Sequence, residues 1–137
     1  MPDYASRVIT YNWRGPFESI EVERLHAKSF GHAVGEWDWF GQVDAHSLGW
    51  VCAHAGSALV GWVNVAWDGG SHAFVLDTMV AASHQRQGIA SSMVTMATSA
   101  ARDAGCEWLH VDFEEQLHPF YLGACGFTPV NAGLIGL

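Results

Sequence analysis

The stretch "SHQRQGIASSM", Ser83 to Met93, puts one glycine where a loop turns into a helix, with small residues behind it. A helix that starts near Gly88 leaves its first N–H groups without intrahelical partners. The helix dipole adds partial positive charge at the same place, so the join is built to attract an anion. Gly88 has no Cβ to hold a phosphate off the backbone. Ala90 and Ser91 leave the first turn unshielded, and Arg86 adds a formal positive charge. This set suits a pyrophosphate. A turn that binds nothing has the same composition, however. The join also lacks the Lys-Ser/Thr of a P-loop and the G-x-G-x-x-G of a dinucleotide turn.

Other side chains could carry chemistry. The eight histidines are scattered, with no H-E-x-x-H or comparable spacing, so no metal site is expected. The three cysteines, Cys52, Cys106 and Cys125, form no C-x-x-C pair and read as free thiols without a role. In "GEWDWF", Trp37 and Trp39 beside Glu36 and Asp38 could hold a cation by ring faces and charge. Packing of two tryptophans in the core fits the same residues.

These groups need elements to position them. A chain of 137 residues, half of them hydrophobic, is one compact domain, residues 1–137. "RVITYNW" (7–13) reads as a strand and 16–30 as a helix that Pro16 can start. Residues 31–47 read as an aromatic, irregular lid or broken helix. "GWVCAHAG", "ALVGWVNVAWDGG" and "HAFVLDTMVA" follow as a meander, with turns at Gly56-Ser57 and "DGGS". From Gly88 to Ala104 the period becomes helical: Ile89, Met93, Met96, Ala97, Ala100 and Ala104 share a face, and Gly105 ends it. "CEWLHVDF" reads as a strand, "LHPFYLGA" as a short helix, and "FTPV" with "AGLIGL" as a closing hairpin. The fold class is α/β of the α+β type, a mixed, mostly antiparallel sheet flanked by helices.

The net charge of −8 argues against a nucleic-acid groove and an anionic membrane, and permits a cationic small molecule. "MPDYASR" lacks a basic stretch followed by an apolar one, and no run of eighteen apolar residues appears; a cytoplasmic location is expected.

The order of these features resembles the GNAT superfamily of acyl-CoA-dependent N-acetyltransferases. Its phosphate motif, Q/R-x-x-G-x-G/A, is met by Gln85, Gly88 and Ala90, with Gly88 eight residues after a strand ending at Val80. Its late aromatic helix ending in Gly-Phe is met by Phe120-Tyr121 and Gly126-Phe127. The resemblance covers roughly residues 48–130. It implies a GNAT-like fold and acetyl-CoA as acyl donor, with no metal. Thr78, Met79 and Val80 would offer backbone groups to pantetheine. Arg86, Gln87, Gly88, Ile89, Ala90 and Ser91 would wrap the pyrophosphate. The strands carrying Met79 and His110 would splay apart to admit the thioester.

The reaction implied is direct attack of a primary amine, of a small molecule or peptide, on the thioester in a ternary complex. Tyr121 is the expected proton donor to the leaving thiolate. Members of the family often have three residues between this tyrosine and Gly-Phe; here four separate Tyr121 from Gly126. Either the helix carries a one-residue bulge or the acid lies elsewhere. His110 is the expected base, on one strand face with Trp108 and Asp112, since imidazole ordinarily titrates near neutral. Asp77, Glu114 and Glu115 are the runners-up. A non-catalytic acyl-CoA-binding or sensing domain would carry the same cofactor loop. Exposed strands near the C-terminus leave room for a homodimer.

Overall fold

The computed structural model describes residues 8–137. Arg7, the expected start of the first strand, and the N-terminal "MPDYASR" lie outside the described residues. The elements are β1 (Ile9–Trp13), α1 (Ser19–Phe30), α2 (Trp39–His46), β2 (Ser47–Ala55), β3 (Ala58–Trp67), β4 (His72–Val80), α3 (Ile89–Asp103) and β5 (Trp108–Val111). A π-helix, Pro119–Ala124, follows. The sheet order is β1-β2-β3-β4-β5, antiparallel up to β4, with β5 parallel to β4.

Local chemistry sets several boundaries. Helix α1 begins at Ser19 rather than Pro16, because Glu18 is still extended (φ −94°, ψ 136°) and its N–H donates to Glu21 Oε1 at 3.0 Å. Residues 31–38 form no helix or strand, and α2 starts where Asp38 Oδ1 accepts from the Gly41 N–H at 2.9 Å. Gly105, at φ 88°, ends α3 in the left-handed conformation that costs glycine least.

The core has two parts, one on each sheet face. Helix α3 packs Ile89, Met93, Ala97 and Ala101 over Val51, Val63, Val65 and Val75. Val94 and Ala101 are buried in place of the expected Ala100 and Ala104, so the apolar stripe lies slightly around the helix from its predicted position. Gly61 permits the close approach: a Cβ there would lie 3.1 Å from both Ile89 Cγ2 and Met93 Sδ. On the other face, α1 and α2 bury Val22, Leu25, Trp39 and Val43 against Trp50, Trp62 and Met79. Each such side chain contributes roughly 1.5–3 kcal/mol by leaving water.

The expected closing hairpin is absent. Residues 126–137 form no strand, and Val130, Leu134, Ile135 and Leu137 are exposed. Pro129 has no N–H for a ladder, and Gly133 and Gly136 interrupt the apolar run, so neither half holds a strand. β5 therefore remains an edge strand.

Candidate functional site

The site grows from an irregularity in β4. Trp62 pairs with Met79 and Asn64 with Leu76, so Val63 alone faces both Asp77 and Thr78. This is a β-bulge, and Asp77 occupies its left-handed position at φ 55°. Aspartate tolerates that conformation better than most residues. The extra residue changes which face later side chains meet. Ala73 and Val75 pack under α3, whereas Met79 joins the α1/α2 cluster.

The ladder between β4 and β5 ends at Val75 opposite Val111. Residues 76–80 of β4 thus run on past the end of β5 without a partner on that side. Thr78 Oγ1 is buried with no hydrogen-bond partner. The end of β4 therefore has backbone groups without β5 partners and, beside Tyr121, a buried hydroxyl without a hydrogen-bond partner.

The loop after β4 leads to the N-terminus of α3. Gln85 Nε2 donates to the Val80 carbonyl at 3.3 Å, tying the loop to the strand end. Arg86 (φ 62°) and Gly88 (φ 79°) are both left-handed, and no side chain caps the helix. A Cβ on Gly88 would meet nothing within 4 Å, so the space in front of the first turn is open. Ile89 points into the core and offers only backbone here; Ala90 and Ser91 are half-buried, and Arg86 and Gln87 exposed. Arg24, Lys28 and Glu21 of α1 line a cleft of about 510 Å3 together with Leu59, Ala81 and Ser83, bringing two cations and one carboxylate to the same end of the sheet.

Tyr121 is buried beside Thr78. Its ring stacks on Phe113 at 4.8 Å and meets Phe127 edge-on at 5.9 Å. Burial pushes its phenol above the usual tyrosine value, and the nearby Thr78 hydroxyl opposes that shift without forming a well-aligned bond. The extra residue before Gly126 is absorbed by the π-helix. Cys125 N–H donates to the Phe120 carbonyl at 2.9 Å, and Phe127 N–H to the Tyr121 carbonyl at 2.9 Å.

His110 lies elsewhere. It pairs in register with Phe74 and stacks on that ring at 4.7 Å, while its Nε2 meets His72 Nδ1 at 2.7 Å. Met79 lies five positions beyond Phe74 on β4, roughly 15 Å along the strand. Glu114 and Glu115 are exposed, in and before a short 3-10 turn. The structure thus brings Tyr121 to Thr78 and leaves His110 at the far end of β4.

Sequence reasoning passed over His26. Its Nε2 lies 3.5 Å from Asp77 Oδ1. No local signal marks this pair, which α1 makes by lying across β4. The two tryptophans of "GEWDWF" also separate. Trp39 is buried and donates its indole N–H to Glu23 Oε1 at 3.0 Å; Trp37 is exposed and bonds Gln42. Trp37, Glu36, Asp38 and Glu23 line a cleft of about 520 Å3 beside α1. Among the described residues, no group of three His, Cys, Asp or Glu side chains is placed to hold a metal ion. No helix there is long and apolar enough to cross a membrane.

A β4 that outruns β5, a β-bulge in β4 and an uncapped, glycine-started α3 coincide with a sequence match. The Acetyltransferase (GNAT) family profile covers residues 9–127. The chain belongs to the GNAT family. A GNAT-family acetyltransferase from Streptococcus pneumoniae TIGR4 superposes with TM-score 0.76 at 28% identity, over 95% of this chain and 98% of that one. An aminoglycoside acetyltransferase from an uncultured soil metagenomic sample shares the fold at TM-score 0.74 and 16% identity, over 94% and 96% of the two chains. Glucosamine-6-phosphate N-acetyltransferase from Arabidopsis thaliana does so at 0.73 and 13%, over 93% and 98%. No curated protein matches the sequence. GNAT proteins in general take an acyl group from acetyl-CoA. The open groups of β4, the buried Thr78 hydroxyl and the uncapped first turn of α3 fit such a donor.

Proposed function

We propose that this GNAT protein is an N-acetyltransferase that moves the acetyl group of acetyl-CoA to a primary amine of a small molecule or peptide, by direct attack in a ternary complex. The observation that carries this reading is the end of β4: an open strand edge that leads, through Gln85, to an uncapped helix start. Bound acetyl-CoA supplies an activated acyl thioester.

The chain's own residues supply the rest. Thr78, Met79 and Val80 present backbone groups along the pantetheine. Residues 86–91 direct N–H groups and the α3 dipole at the pyrophosphate, and Arg24 and Lys28 add charge nearby. A β4 backbone N–H near Val80 stabilises the developing oxyanion. Tyr121 gives its phenolic proton to the departing sulfur. Its raised pKa keeps that proton in place until the sulfur needs it.

The test is CoA binding followed by thiol release with an amine panel. A thermal shift with CoA and amine-dependent thiol release support the reading. Binding without turnover on any amine replaces it with an acyl-CoA sensor, and no shift rules out both. We also propose a homodimer, in which the exposed Leu134, Ile135 and Leu137 meet the free β5 edge of a second copy. Sedimentation should show a dimer that truncation at Thr128 abolishes; a monomeric full-length chain removes this part.

A further inference from the structure

His26 sits between two aromatic rings, Phe30 at 4.6 Å and Trp39 at 4.9 Å, with its side chain about a quarter exposed (23%). Its two ring nitrogens face different partners. Nδ1 lies 2.6 Å from His32 Nε2, and Nε2 lies 3.5 Å from Asp77 Oδ1. His32 Nδ1 in turn lies 2.7 Å from the Ala33 carbonyl.

This chain of contacts fixes where protons sit. A carbonyl only accepts, so His32 Nδ1 must carry the hydrogen. With both rings neutral, His32 Nε2 is then bare and accepts from His26 Nδ1–H. His26 Nε2 is therefore bare as well, and its lone pair faces the Asp77 carboxylate. Two acceptors then face one another across 3.5 Å with no proton between them, which leaves a place for one arriving proton. Burial separately holds the Asp77 carboxyl above its usual range, and the charge of His26 opposes that shift. The titratable groups around the pair are Asp77 of β4, His32 of the loop after α1, and Glu23 of α1, whose carboxylate already binds the Gly35 N–H and the Trp39 indole.

Position gives the pair its use. Asp77 immediately precedes Thr78, where Tyr121 approaches, so an acceptor and a donor of protons flank one point of β4. We infer that His26 and Asp77 together form the proton acceptor of the transfer reaction, with His32 as the positioning residue that sets the tautomer; this rests on the N-acetyltransferase reading. An ammonium substrate gives one N–H proton to His26 Nε2, which becomes imidazolium beside the Asp77 carboxylate. The freed nitrogen lone pair forms the C–N bond at the acyl carbon, while the C–S bond breaks and its electron pair leaves on sulfur. The sulfur takes the Tyr121 proton. The second proton lost by nitrogen passes through solvent to restore the phenol, and the imidazolium proton goes to solvent, so one proton is released per turnover.

Two measurements test this. Nitrogen-15 NMR of the histidine rings in the free protein, above neutral pH, should show Nδ1–H on both His26 and His32, with both Nε2 atoms bare. An Nε2–H tautomer on His26 overturns the assignment, whatever the protein's activity. In kinetics, Asp77→Asn, which keeps a residue tolerant of the left-handed bulge, and His26→Gln should each lower kcat by about 100-fold or more. Both should leave CoA affinity unchanged and remove the limb of the kcat–pH profile that reports the base. His32→Gln, whose amide oxygen can still accept from His26 Nδ1, should retain more activity than His32→Phe. Wild-type kcat in Asp77→Asn overturns the proposal. A wild type that binds CoA but acetylates no amine defeats the enzymatic reading instead, leaving the tautomer result to stand on its own.

Discussion

Cys125 donates its N–H to the carbonyl of Phe120, five residues back, at 2.9 Å. An α-helix would close on the fourth residue. This wider turn takes up the additional residue between Tyr121 and Gly126 and leaves Tyr121 buried next to Thr78. Tyr121→Phe should therefore lower kcat by about 100-fold or more with CoA affinity unchanged, as read by thiol release and calorimetry. The phenol's pKa is raised above 10.0 by burial, so the stability it contributes is complete below that value and is lost as pH rises through the folded-state value. Tyrosinate absorbance should show a tyrosine titrating above 10.0 that the Tyr121→Phe variant lacks.

Gly88 tests the loop. Its φ of 79° is costly for residues with a Cβ. Gly88→Val should lose roughly 1–2 kcal/mol of stability as well as CoA binding. Gly88→Asn separates the two effects, since asparagine visits this conformation but sets a side chain over the open first turn. That variant should fold normally yet lose the CoA-induced stabilisation, which for wild type at a hundredfold excess over Kd is about 2.7 kcal/mol. Unchanged CoA affinity in Gly88→Asn would remove the loop from the donor site.

Glu23 anchors the loop over α1. Its carboxylate accepts from Gly35 N–H at 2.7 Å and from the Trp39 indole at 3.0 Å, and these bonds, the Gly35 one foremost, hold its pKa below 4.5. A depressed carboxyl adds stability that is present above its unfolded value and lost as pH falls through the folded one. Glu23→Gln should be less stable than wild type at neutral pH, and the gap should close as pH drops below 4.5, measured by urea unfolding across pH. A gap independent of pH would mean that the carboxylate's charge is not what stabilises the loop.

Cys52 predicts the outcome of thiol labelling. It is fully buried and its thiol is pushed up to about 12, first by desolvation and then by the charge of Glu21. Alkylation of the native protein at mildly alkaline pH should mark Cys106, mark the half-buried Cys125 more slowly because burial also raises its thiol, and spare Cys52, as read by peptide mass analysis. Labelling of native Cys52 at the rate of the others would show that the β1/β2 core opens readily.

Sequence by itself determined the elements whose causes are local. The alternation of "ALVGWVNVAW", the helical stripe from Ile89, and the glycines at 56, 88 and 105 each follow from sterics and burial within a few residues. The family motif around Gly88 was legible for the same reason, since an anion-binding helix start is built from consecutive residues. Tertiary structure alone decided what depends on register and crossing. The bulge at Asp77 exists because β3 offers one residue where β4 has two, and strand alternation in either sequence does not reveal that offset. His26 and Asp77, fifty-one residues apart, meet only because α1 lies across β4. Parallel pairing sets His110 opposite Phe74, away from the end of β4 that carries Thr78. The closing hairpin failed for the complementary reason: two short apolar runs resemble strands, but without ladder partners they cannot offset the entropy of ordering them.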